Sequence, residues 1–138
     1  AEGGACHAET GAPHHPGLSA DRLPGIPRGR GRWLGLPHGA VRDLKDPEAP
    51  LPDDVAAQTR IAIGNMRATL ATLWLGLGLE DVVSVRVFLT RFERDYAAMN
   101  AAYAAEFPEG KRPVRTCVGV TALARGALVE LDSIARRG

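Results

Sequence analysis

The chain has 138 residues, 17 basic and 16 acidic, for a net charge of +1. A balance so near zero builds no field to steer nucleic acid or an anionic membrane, and no apolar run approaches the ~20 residues of a membrane helix. The length suits one domain, which at this size buries roughly 68% of the surface its unfolded chain exposes. The longest apolar stretch, Leu70 to Leu79, is broken by Gly76 and Gly78. No basic segment followed by an apolar run opens the chain, so no signal peptide is expected. Cys6 and Cys117 are far apart in unlike contexts and read as free thiols of a reducing, cytoplasmic compartment.

Residues 1–52 hold 8 of the 10 prolines, 9 of the 16 glycines and all four histidines. By composition this segment reads as loop or weakly ordered chain. The first short strands are expected inside it, one around Arg32 to Leu36 within GIPRGRGRWLGLPHGA. Its Gly, Pro and Arg richness is also what off-frame reading of GC-rich DNA yields. His7, His14, His15 and His38 show no ligand spacing, so no metal is expected. Arg28, Arg30 and Arg32 lie among acids in a nearly neutral chain, so nucleic acid is not an expected partner.

Residues 53–138 carry clear periodicity and form the expected core. PDDVAAQTRIAIGNMRATLATLWLGLG opens with Pro52 and two aspartates, a helix start. Val55, Thr59, Ala62, Met66, Thr69, Leu70, Leu73 and Leu77 then follow helical spacing. VVSVRVFLT (82–90) alternates as a strand, with Val83, Val85, Val87 and Leu89 on one face. DYAAMNAAYAAEF (95–107) places Tyr96, Met99, Tyr103 and Phe107 at helical spacing, ended by Pro108 and Gly110. RPVRTCVGV (112–120) and ALVELDSIA (127–135) are two further strands. The order helix, strand, helix, strand, strand predicts an α+β fold with two helices on one face of a sheet. The short LARG link predicts that the last two strands pair as a hairpin.

Alternation puts Arg115 and Cys117 on one face of their strand, and Glu130 with Asp132 on one face of the next. An arginine is a bidentate fork for a carboxylate, and a glutamate can hold or pass a proton or orient a water. Together they suit a small carboxylic acid, gripped by Arg115 and worked on by Glu130 at the adjacent carbon. The plainer reading of the same residues is a cross-strand ion pair.

DVVSVRVFLTRFERDYAAMNAAYAAEF, KRPVRTCVGVTAL and ALVELDSIA resemble the corresponding segments of the RidA (YjgF/YER057c/UK114) family, over about residues 50–136. The P-V-R-T-C-V and V-E-L-D-S-I-A runs are the most specific. The resemblance implies a chorismate-mutase-like mixed sheet with two helices on one face, assembled as a homotrimer with clefts between subunits. It implies hydrolysis of reactive 2-imino or 2-enamino acids, of the 2-aminoacrylate or 2-iminopropanoate type, to 2-keto acids and ammonia, without cofactor or metal. Arg115 and Glu130 match the family's catalytic pair, Arg115 binding the substrate carboxylate and Glu130 positioning water. Cys117 matches a cysteine often found lining the cleft, and Thr116, Asn100 and, through its backbone, Gly35 are the further candidate substrate contacts, although Asn100 matches a family position read here mainly as structural and Gly35 has a plainer reading as turn chemistry. Tyr103 matches a family position read here as packing. The family's N-terminal tyrosine segment has no counterpart, since no tyrosine precedes Tyr96. That departure keeps two alternatives open: a non-catalytic keto-acid-binding or regulatory member, and a pathway deaminase acting on a larger acid such as an aminomuconate.

Overall fold

The structure, a computed structural model, describes residues 32–38, 48–73 and 76–137. His7, His14, His15, Cys6, Arg28, Arg30 and most of the proline-rich segment lie outside them. Strand β1 (Arg32–His38), helix α1 (Val55–Leu73), strand β2 (Val82–Leu89), helix α2 (Phe92–Glu106), strand β3 (Val114–Gly119) and strand β4 (Val129–Arg137) follow in chain order. The four strands form one mixed sheet in the order β1-β4-β2-β3, with α1 and α2 on one face, the α+β arrangement the periodicity predicts. No helix among the described residues is long and apolar enough to cross a membrane.

Each helix has a local cause. The Asp54 carboxylate accepts a hydrogen bond from the Ala57 amide at 2.8 Å, satisfying one of the first-turn donors that a helix leaves without a partner. Val55, Ala62, Ile63, Met66 and Leu70 then form a buried stripe. In α2 the stripe is Met99, Ala102 and Tyr103, continued by Phe107. These pack on Val85, Val87 and Leu89 of β2 and on Val129, Leu131 and Ala135 of β4, all at most 1% exposed. Alternation in β2 is interrupted at its start. A register shift between Val82 and Ser84 buries Val82 at 3% and leaves Val83 only partly covered, a bulge that two-residue periodicity does not anticipate.

The expected hairpin of the last two strands is not formed. β3 pairs with β2 in parallel, and β4 pairs with the other side of β2 antiparallel. The cause is the crossover through α2. A strand-helix-strand unit returns the chain parallel to its first strand, so β3 takes one edge of β2. The linker, which extends over residues 120–128, then steps across the end of β2. The Val120 amide donates to the Leu89 carbonyl at 2.9 Å, and the Thr90 amide to the Leu128 carbonyl at 3.1 Å.

Candidate functional site

Register decides where the candidate residues stand. Val85 of β2 is opposite Arg115 on one side and Ser133 on the other. Paired residues share a face, so Arg115 lies on the helix-covered side, with Val85 and Ser133 buried beneath the helices. Phe88 is opposite Glu130 and Val118, so Glu130 lies on the open side. Arg115 and Glu130 are thus on opposite faces and one strand removed from each other. They form neither the predicted ion pair nor a shared pocket within one chain. The cross-strand ion pair of this sheet is instead Arg86 with Asp132, forked through Nε at 2.8 Å and through Nη2.

The Arg115 guanidinium has no ion pair among the described residues. It lies 4.7 Å above the centroid of the Tyr103 ring, an attractive cation–π geometry. The Tyr103 ring is itself held 4.6 Å from that of Phe107. A cleft of about 310 Å³ opens here at the β3 edge, lined by Asn100, Tyr103, Ala104, Arg112, Pro113 and Arg115. Two cations therefore face it. Asn100 Oδ1 and the Tyr103 hydroxyl are buried with no hydrogen-bond partner among the described residues, and unpaired buried polar atoms are costly.

Burial pushes the Tyr103 phenol up to about 12, despite the lowering pull of Arg115 and Arg112. The folded chain therefore holds this proton more tightly than the unfolded chain, whose phenol titrates near ~10. Its contribution to stability is whole below that value and is lost as pH rises toward about 12. Tyr103→Phe keeps the ring, removes the unpaired hydroxyl and abolishes that alkaline loss, measured as urea midpoints across the pH range. Tyr103→Leu removes the ring under Arg115. Any small carboxylate that binds at Arg115 is then expected to bind roughly fivefold more weakly, the worth of ~1 kcal/mol of cation–π attraction, read by titration with pyruvate.

The remaining predicted residues divide. Asn100 lines the cleft. Cys117 shares the Arg115 face but packs on the core, where burial pushes its thiol up against the opposing pull of Arg115, so it is a neutral thiol at pH 7. Thr116 is exposed and stands opposite Arg86 on the open face, outside the cleft. Gly35 is in β1, opposite Ile134. Arg112, Pro113 and Ala104 were not anticipated as lining. Arg112 and Pro113 open the same RPVR run that points to Arg115, and that run was the available signal. Among the described residues no three His, Cys, Asp or Glu side chains gather as a metal centre would.

The sequence profile of the endoribonuclease L-PSP family matches residues 42–137. A RutC family protein of Synechocystis sp. is 39% identical over 82 residues, 59% of this chain and 61% of that protein. The 2-iminobutanoate/2-iminopropanoate deaminase of Escherichia coli K12 is 37% identical over 89 residues, 63% of this chain and 67% of that enzyme. The chain thus spans about three fifths to two thirds of the length of these curated relatives. Among solved structures, E. coli TdcF with bound serine superposes with a TM-score of 0.61 at 27% identity, over 82% of this chain and 85% of that one. Rv2704 of Mycobacterium tuberculosis, a YjgF/YER057c/UK114 family member, superposes at 0.58 with 33% identity, over 75% of each chain. With most of the chain inside the family profile and the two helices on a mixed sheet that its members share, this protein belongs to the endoribonuclease L-PSP family, the RidA group.

Proposed function

We propose that this protein hydrolyses small reactive 2-imino acids to 2-keto acids and ammonia, at a cleft that two copies of the chain complete together. The observation that carries the reading is the unpaired Arg115 guanidinium held over Tyr103 at the sheet edge. It is an open fork for a substrate carboxylate. The deaminase relative of E. coli acts on 2-iminobutanoate and 2-iminopropanoate by name, and TdcF holds serine, itself a small carboxylic acid.

The opposite placement of Arg115 and Glu130 supports a site completed by a second copy. The face of the sheet turned away from α1 and α2 carries Val114 at 72%, Val118 at 41% and Ile134 at 42% exposure, with half-buried Phe88 and Glu130 among them. An uncovered apolar face of this kind is stabilised by association. A neighbour's open face seated against the β3 edge brings that neighbour's Glu130 to the Arg115 cleft, and a closed ring of three copies does so at each junction.

Chemistry at such a site is simple. Arg115 holds the carboxylate and fixes the C=N carbon. A water oriented by Glu130 adds to that carbon while the nitrogen is protonated. The C–N bond of the resulting carbinolamine then breaks, releasing ammonia as the C=O bond forms. An imine carbon is already electrophilic, so positioning and proton movement suffice and no cofactor is required. The test generates 2-iminopropanoate in situ from serine with a pyridoxal-phosphate lyase and follows its loss. Acceleration by the folded protein is expected. If a folded oligomer binds pyruvate but leaves the imine's lifetime unchanged, the chain is a keto-acid-binding member of the family instead.

A further inference from the structure

A second depression, of about 450 Å³, lies at the other end of β2 and shares no lining residue with the Arg115 cleft. Three arginines from two separate segments border it: Arg91 and Arg94 from the start of α2, and Arg125 from the β3–β4 linker. Among the described residues neither Arg91 nor Arg125 has an ion pair. Arg94 spends Nε and Nη2 on the buried Asp95 carboxylate, at 2.6 and 2.7 Å, which leaves its other amino group free to donate. Asp53 is the one acidic residue of the lining. Counting Asp53 and Asp95 against the three arginines, a positive charge is left over.

The walls are tied to one another. Gln58, 2% exposed, donates from Nε2 to the Pro52 carbonyl at 2.7 Å and accepts at Oε1 from the Leu128 amide at 2.8 Å. That one side chain joins α1, the segment before it and the entry to β4. Arg125 itself sits at φ 58° and ψ 21°, the left-handed region that a non-glycine residue adopts at a cost. Glycine would hold this turn more easily, as Gly126 does at φ 69°. An arginine is thus kept in that conformation at the rim of a cationic depression.

We infer that this depression is a second binding site, for a small molecule bearing a phosphate group. Phosphate fits better than carboxylate because a carboxylate presents its lone pairs in a single plane, whereas a tetrahedral phosphate offers oxygens in several planes to arginines converging from different segments. The site is independent of the imine chemistry proposed above.

The test is calorimetric titration of the full chain with inorganic phosphate, pyrophosphate and acetate at one fixed, low ionic strength. Saturable phosphate or pyrophosphate binding in the millimolar range or tighter is expected, with acetate weaker. Arg125→Gly, compatible with the left-handed backbone, is expected to weaken it by about tenfold or more, the effect of removing a charged hydrogen-bond donor, while thermal stability holds or rises. Arg91→Gln is expected to act in the same direction. Arg115→Ala is expected to leave the affinity intact, which separates this site from the cleft. Absence of saturable binding, binding undiminished in Arg125→Gly and Arg91→Gln, or binding lost in Arg115→Ala would each overturn the inference.

Discussion

Arg115→Ala and Glu130→Ala should each lower imine hydrolysis by roughly 100-fold or more, the scale of losing a carboxylate anchor or a positioned acid–base group. Co-expressing the two variants should restore activity. In the proposed arrangement each site takes Arg115 from one chain and Glu130 from its neighbour, so random mixing of the two inactive chains rebuilds about a quarter of the sites, those where an Arg115-bearing copy meets a Glu130-bearing one. No single-chain site can show this recovery, because every chain in the mixture lacks one of the two groups. Mixed oligomers that assemble and stay inactive would remove the inter-subunit arrangement, whatever the single variants do. The placement of Arg115 and Glu130 on opposite faces, through the shared register of Val85 and Phe88, makes this a sharp experiment.

Leu131→Ala should cost about 2–5 kcal/mol, the range for truncating a fully buried leucine whose cavity cannot collapse. Leu131 is 0% exposed on β4, which is flanked by β1 and β2, and it faces the helices. A domain of this size holds roughly 5–15 kcal/mol in total, so this substitution removes a large share. It is read as a lower urea midpoint with an unchanged slope. Three residues along the same strand, Ile134 is 42% exposed on the open face. Ile134→Asp should leave the fold of the single chain intact and shift sedimentation toward monomer. An intact oligomer in Ile134→Asp would mean that the open face is not the contact surface.

Much of the fold was readable from local patterning, because side-chain period is set by backbone geometry alone. The stripe Val55, Ala62, Met66, Leu70 and the alternation of Val85, Val87 and Leu89 each marked the buried side of its element before any packing was known. Where a bulge broke the alternation, at Val82 and Val83, the same rule misassigned a face, since a bulge is a property of two strands and not of one. The short LARG link suggested a hairpin for a similar reason. Nothing local distinguishes a turn between neighbours from a linker that steps over a third strand.

The candidate residues divide along that line. Arg115 was legible as a residue of interest from the RPVRTCV run, and it does line the cleft. Its support by Tyr103, twelve residues earlier on a different element, was not legible, because the contact is made only when α2 folds back over β3. Composition and periodicity by themselves determined an α+β chain with two amphipathic helices, alternating strands and an arginine and glutamate on successive strands. Tertiary structure alone decided that β2 stands between those strands. It thereby put Arg115 under the helices and Glu130 on the open face, because strand order is chosen by which faces must be buried together and not by adjacency along the chain.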